Sequence, residues 1–152
     1  MKSVRIGIVR ALGLAALVAP LCVSAASAQQ SDIKKLMGEN FGGLQAILWA
    51  LISADYAAVP GQVDVISAHA DELTRMVPAN AEAQRVQFLS YATNLRAHAQ
   101  DLKTISQALT QHDAERTAPG PDYLREALAA HYGGMVTTCV ACHNRFRPEP
   151  PK

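Results

Sequence analysis

The residues with the most distinctive chemistry lie in one short segment near the C-terminus, Cys139-Val140-Ala141-Cys142-His143. On a helix, residues three and four positions apart share a face, so both thiols and the imidazole can point to one side. Cys-x-x-Cys-His is the attachment sequence of c-type haem. Two thiols at this spacing can add to the two vinyl groups of one porphyrin, while the imidazole binds the iron. The motif therefore predicts one covalently attached haem c, held by Cys139 and Cys142, with His143 as the iron ligand.

Three other uses of a close cysteine pair fit the sequence less well. A thioredoxin-like Cys-x-x-Cys opens a helix after a strand in a βαβ unit, and the pattern here predicts neither element. A structural zinc site needs further ligands. His131 lies twelve residues before His143, which is about 18 Å along one helix and too far to share a metal. A simple disulfide would leave His143 without a role.

The first 28 residues have the features of a secretory signal peptide. A positively charged start precedes an uncharged run of 13 residues at 11–23, and Ala-Ser-Ala at 26–28 fits a small-x-small cleavage site. Spanning a bilayer takes about 20 apolar residues, so this run is too short for a membrane anchor. Lipid attachment at Cys22 is disfavoured by the bulky Leu21 before it. We expect cleavage after about Ala28, a periplasmic location and no membrane anchor in the mature chain.

Removal of this segment changes both the charge and the cysteine content. The whole chain has 14 Lys+Arg and 13 Asp+Glu. Three of the positive charges leave with residues 1–28, which gives the mature chain a net charge of −2, and Cys22 leaves with them. A chain without a basic excess is not suited to nucleic-acid binding, so no such partner is expected. The two thiols that remain are exposed to an oxidising compartment after export, where a close pair of cysteines is expected to have a functional or structural role.

Four stretches of the mature chain, residues 29–152, have the apolar spacing of amphipathic helices. They are predicted from Ser31 to a break at 59–61, from Val63 to Met76, from Ala81 to Gln111, and from Asp122 through the cysteine motif. Four such helices predict an all-α fold, an antiparallel four-helix bundle whose core the haem enters near the C-terminus. The apolar stripe predicted for the first helix comprises Ile33, Leu36, Met37, Phe41, Leu44, Ile47, Leu48 and Leu51, and the third stripe begins at Val86.

Two further expectations concern single residues outside the motif. Gly42 and Gly43 interrupt the first helical pattern at a cost in helix stability, which indicates that another element packs close to the backbone there. The remaining histidines are expected to face solvent or form hydrogen bonds rather than bind iron; they are His69, His98, His112 and His131.

From Ser31 to about Arg147 the chain resembles the class II c-type cytochromes, the cytochrome c′ family. The resemblance rests on a haem motif near the end of a fourth helix and on the aromatic–arginine pair Phe146-Arg147 that follows it. It implies that Arg147 lies near the imidazole or a haem propionate, where a cation favours the carboxylate. An exposed cation at the helix end is the alternative. The chain departs from the family in having its one tryptophan, Trp49, in the first helix rather than near the start of the third.

The sixth coordination position of the iron divides this family. Members with an apolar residue there are high-spin and bind nitric oxide or carbon monoxide, whereas members with methionine are low-spin and transfer electrons. The resemblance places that position four residues before Gly38, at Lys34, or one turn later at Met37. We predict Met37 as the sixth ligand. Ligation by Lys34, and an open site with Met37 as core packing, remain the alternatives.

These features predict a periplasmic electron carrier rather than an enzyme. Its haem iron would cycle between ferric and ferrous states in exchange with a redox partner protein. The alternative is a five-coordinate module that traps or senses nitric oxide or carbon monoxide. Catalysis has no support, because no distal His–Arg pair of the peroxidase type can be assigned. Family members often dimerise through their first two helices, so a homodimer is compatible with the resemblance.

Overall fold

The computed structural model describes residues 19–115 and 121–146. Within these ranges every regular element is helical, which confirms the all-α prediction with four helices. No helix in the described part of the chain is both long and apolar enough to cross a membrane. The long helices are α1 (Ala19–Ile52), α2 (Val59–Arg75), α3 (Arg85–Glu115) and α4 (Asp122–Phe146), with short 3₁₀ helices at Tyr56–Ala58 and Ala79–Gln84.

The first helix begins earlier than the sequence predicts. Helix α1 continues without interruption through Ala28 and Ser31, so the expected start at Ser31 is wrong. The segment from Ala19 to Ser31 contains no glycine, and its one proline, Pro20, lies at the second position of the helix. Proline is tolerated at that end because the first amide groups of a helix have no acceptor within it. The predicted signal peptide lies in part, at residues 1–18, outside the described residues.

The same property of proline explains the second difference. The expected break at 59–61 does not occur, because Pro60 lies in the first turn of α2. The chain turns earlier, at residues 53–55, where Ala54 adopts a left-handed conformation with φ of 56°. The third predicted helix is also divided, since residues 79–84 form a 3₁₀ helix before α3 begins at Arg85.

Consecutive helices run antiparallel. Between α2 and α3, Arg96 donates to Asp71 at 2.7 Å and Lys103 donates to Asp64 at 2.6 Å. Residue numbers therefore rise along one helix as they fall along its neighbour. The same reversal relates α1 to α2, where Asn40 contacts His69 and Gly43 faces Ile66, and α3 to α4, where Phe88 contacts Phe146 and His98 contacts His131.

The buried side chains form two clusters. The main cluster fills most of the length of the bundle with residues from all four helices, including Ile47, Ile66, Leu102 and Met135. The second, called here the end cluster, lies where α4 ends and α1 carries Leu36. The end cluster consists of Leu36, Leu73, Val77, Ala81, Phe88, Ala92 and Phe146.

The helices do not pack equally against one another. Helix α1 packs along α2, and α3 packs along both α2 and α4, but α1 and α4 touch at few positions. One of the contacts between α1 and α4 is polar, since the Tyr132 hydroxyl donates to the Leu44 carbonyl at 3.3 Å. Among the described residues, α1 and α4 make fewer contacts with each other than α1 with α2, α2 with α3 or α3 with α4.

Three residues assigned to the predicted apolar stripes lie outside the core. Phe41 is 63% exposed, Leu48 42% and Val86 85%. The outer face of α1 also carries Trp49 and Ile52, both exposed, so apolar spacing there does not distinguish the inner face from the outer. Val86 is the second residue of α3, and its side chain faces away from the bundle.

Candidate haem site

The cysteine motif occupies the last two turns of α4 and is helical throughout, as its proposed geometry requires. Cys139 and Cys142 are free thiols, both half-buried. Cys139 packs against the main cluster and Cys142 against the end cluster. Both thiols therefore lie on the inward side of α4. His143 lies one residue further around the helix and is exposed.

The end of α4 is held in place by aromatic packing. The ring of Phe146 meets Phe88 edge to face, with centroids 5.5 Å apart, and Tyr91 in the same way at 6.1 Å. Arg145 adds a hydrogen bond to this end of α4, because its Nε donates to Gln84 Oε1 at 2.7 Å. These contacts tie the turn that follows the motif to α3 and to the 3₁₀ helix before it. The position of the two thiols is therefore fixed from the C-terminal side.

Burial sets the acidity of both thiols. It raises the pKa of Cys139, and it raises the pKa of Cys142 to about 11, with a smaller contribution from the nearby Cys139. Redox-active Cys-x-x-Cys pairs have the opposite property, a thiol pKa lowered by a helix N-terminus or a cation. Here the pair lies near the C-terminal end of its helix, and no strand precedes that helix in the described residues. The arrangement does not fit dithiol–disulfide exchange.

The donor set fits a c-type haem. Attachment requires two thiols on one side of a helix with an imidazole beside them, and Cys139, Cys142 and His143 provide these groups. No cluster of three or more His, Cys, Asp or Glu side chains suited to a metal ion occurs among the described residues. Haem does not need such a cluster, because the porphyrin supplies four of the iron ligands.

The two candidates for the sixth ligand have different surroundings. Lys34 is exposed, whereas Met37 is half-buried and packs against the end cluster. Met37 on α1 and Cys142 on α4 thus pack against the same group of apolar side chains. Met37 therefore packs inward, whereas Lys34 does not. Arg147, implied by the family resemblance to lie near the imidazole or a propionate, is outside the described residues.

The other histidines behave largely as expected. His69 Nδ1–H donates to Asn40 Oδ1 at 2.8 Å, and a hydrogen bond of 3.4 Å joins the Nδ1 atoms of His98 and His131. His112 is the exception: its Nδ1 is buried without a hydrogen-bond partner in the described structure. The expectation that it would face solvent or form a hydrogen bond is therefore wrong at that atom.

The contact between α1 and α2 at Asn40 was not foreseen from the sequence. Asn40 is 4% exposed, and His69, its partner, also approaches Glu39, with Nε2 3.3 Å from Oε2. A pattern in the sequence could have indicated it, because Asn40 is a polar residue at an inward position of the α1 stripe, between Leu36 and Gly43. Buried amides are normally paired, so a partner on a neighbouring helix was to be expected.

Comparison with protein-family models, with curated proteins and with solved structures gave no match to this chain. The function is therefore argued from the residues and their arrangement.

Proposed function

We propose that this protein is a c-type cytochrome that transfers electrons, with one haem c bonded to Cys139 and Cys142 and with His143 as its proximal ligand. One observation carries the proposal. The Cys-Val-Ala-Cys-His segment lies on the last turns of α4 with both thiols inward, on a helix that contacts α1 at few positions. A flat apolar group inserted there would meet side chains of both core clusters.

Attachment needs no reagent beyond haem and reduced thiols. Each S–H of Cys139 and Cys142 would add across one vinyl double bond, so that sulfur would bond to one carbon and the hydrogen would go to the other. Nothing leaves and nothing is oxidised. Both cysteines are free, and burial keeps their sulfur atoms protonated at neutral pH. When bound, the haem supplies one-electron chemistry at its iron, and the apolar surroundings and axial ligands of the protein set its potential.

Met37 is the proposed sixth ligand. Its thioether is half-buried against the same cluster as Cys142, while Lys34 remains exposed to solvent, where its ammonium is well hydrated. A thioether in this position would leave the iron without an open site, which favours electron transfer over gas binding. The five-coordinate alternative, which binds nitric oxide or carbon monoxide, is the other outcome of the experiment below.

The remaining parts of the proposal concern location and partners. The signal-like residues 1–28 support export to the periplasm, where a redox partner protein would exchange electrons with the haem. A second copy of the chain is the proposed partner for the outer face of α1. That face exposes Phe41, Leu48, Trp49 and Ile52, and residues 40–54 carry no charge.

The test is the absorption spectrum of the purified protein, ferric and ferrous, with and without carbon monoxide. We expect a low-spin ferrous spectrum with sharp α and β bands that carbon monoxide does not change. Met37→Ala should become high-spin and bind carbon monoxide, while Lys34→Ala, the matched control on the same helix, should behave as the wild type. A wild-type protein that is high-spin and binds carbon monoxide would assign gas binding and leave Met37 as core packing. A protein without covalently bound haem would refute the whole proposal.

A further inference from the structure

A hydrogen bond between α1 and α2 that involves a buried amide, Asn40, lies one turn from Met37. Asn40 and Ser106 are the buried polar residues of the described chain, and Ser106 bonds within its own helix. Asn40 instead accepts a hydrogen bond of 2.8 Å from His69 Nδ1–H. On the other side of the same ring, His69 Nε2 lies 3.3 Å from Glu39 Oε2. One imidazole on α2 therefore contacts two adjacent residues of α1, and its hydrogen bond to Asn40 is the link to the helix interior.

Such a contact fixes both the position of α1 along its axis and its rotation about that axis, relative to α2. A buried amide that loses its partner is costly, so any slip of α1 along α2 would be penalised. Apolar packing is less specific, because side chains of similar size can exchange places. The neighbouring apolar contact, in which a Cβ at Gly43 would lie 3.2 Å from Ile66, sets how closely the helices approach. It specifies register less strictly than a hydrogen bond does.

The position of Met37 depends on α1 being held by α2. Met37 precedes Asn40 by three residues, so the two side chains are neighbours on one face of α1. Helix α4, which carries the motif, touches α1 at few positions and contributes little to its placement. Beside the hydrogen bond from Tyr132 to Leu44 and the shared end cluster, the contacts that locate Met37 relative to Cys142 run through α2, where the polar link is His69.

We infer that His69, through its hydrogen bond to Asn40, is a positioning residue that holds Met37 beside the end cluster and so decides whether the iron keeps a sixth protein ligand. The inference rests on the proposed function. His69 acts through α1, and it is not assigned to the iron or to the haem. Removing it should release Met37 from the iron while the haem stays bonded to α4.

The experiment compares four variants of the full protein by their ferrous spectra and carbon monoxide binding. His69→Ala should increase the high-spin, carbon monoxide-binding fraction about tenfold, and His69→Gln, which retains a donor for Asn40, should restore most of the low-spin form. Asp71→Ala removes the contact of α2 with Arg96 at 2.7 Å and is the matched control that should leave the spectrum unchanged. Leu109→Ala, within the main cluster, controls for loss of stability in general.

Hydrogen exchange provides a readout that does not depend on the iron. In His69→Ala, the amides of residues 36–44 on α1 should exchange faster than in the wild type, whereas those of α3 should not. A wild type without a sixth ligand would refute the proposed ligation, and exchange alone would then decide whether His69 anchors α1. The inference is overturned if exchange and spectrum are both unchanged in His69→Ala, or if Leu109→Ala of equal stability gives the same spectral change.

Discussion

Cys142 shows how far a single residue can be understood from sequence. Its proposed role, haem attachment, follows from spacing alone, because Cys-x-x-Cys-His is the attachment sequence of c-type haem and the pattern is local. Its acidity does not, since the pKa depends on which side chains bury the sulfur. The structure places that sulfur against the end cluster, and burial raises its pKa to about 11.

The acidity of Cys142 leads to a prediction for the haem-free protein. At pH 8 a thiol with a pKa near 11 carries about a hundredfold less thiolate than one at the ordinary value of 9.0, so alkylation of folded Cys142 should be about a hundredfold slower than in urea. The pKa of Cys142 is higher in the folded protein than in the unfolded chain. Its thiol therefore has no effect on the free energy of unfolding below about pH 9 and lowers that free energy as the pH rises towards 11. Mass spectrometry of timed alkylation measures the rate. Equal rates in folded and unfolded protein would contradict the burial of this thiol.

The choice between Lys34 and Met37 shows what sequence leaves open at this scale. The two residues are three positions apart on α1, and apolar spacing alone does not define the rotation of a helix whose outer face is also apolar. The contacts with α2 supply that rotation, and they leave Lys34 exposed while Met37 packs inward.

Among the elements, the start of helix α4 at Asp122 is predicted from the prolines that precede it in the sequence, which cannot donate a backbone hydrogen bond, and this start is confirmed. The paired glycines of α1 were predicted to mark a close approach, and this is confirmed for Gly43, which faces Ile66, but not for Gly42, where a Cβ would meet nothing. Which of two adjacent glycines faces a neighbour depends on tertiary packing, which local pattern does not contain.

A second pair of glycines, on α4, gives a matched test of the packing between α3 and α4. The His98 ring lies so close to Gly134 that a Cβ there would come within 2.6 Å of it, whereas a Cβ at Gly133 would meet nothing within 4 Å. Gly134→Ala should destabilise the fold by about 1–3 kcal/mol, because the ring must move and gives up its hydrogen bond to His131.

Gly133→Ala is the control and should stabilise α4 by up to about 1 kcal/mol, since alanine is the better helix former. Urea unfolding measures both free energies of unfolding. Adding His98→Ala to Gly134→Ala should recover much of the loss by removing the clash. Equal effects of the two single alanine substitutions would show that His98 does not pack on Gly134.

One face of the molecule exposes apolar side chains that the core does not bury. Trp49 is 72% exposed and Ile52 69%, and they lie with Phe41 and Leu48 along the outer face of α1. Contiguous exposed apolar patches of this kind mark interaction sites. In a two-fold dimer the patch meets itself, and an uncharged patch does so without repulsion.

This face leads to a prediction about oligomeric state. Sedimentation equilibrium should show a dimer for the wild type and a monomer for Trp49→Glu, because a buried carboxylate at the centre of the patch would be unpaired. Val86→Glu is the control, since Val86 is 85% exposed on α3 and apart from the patch; it should remain dimeric. A monomeric wild type, or dissociation by both substitutions, would contradict pairing through α1.

The proposed function depends on a covalent bond between haem and the two thiols of α4, and the intact mass of the protein under denaturing conditions shows whether that bond exists. Haem held only by coordination is lost in the denaturant, whereas thioether-bonded haem stays with the chain. For protein exported by cells that can attach haem, we expect the mass of the mature chain plus one haem. For the double variant Cys139→Ser with Cys142→Ser, we expect the mass of the chain alone. A wild-type mass without haem, or haem retained by the double variant, would contradict it.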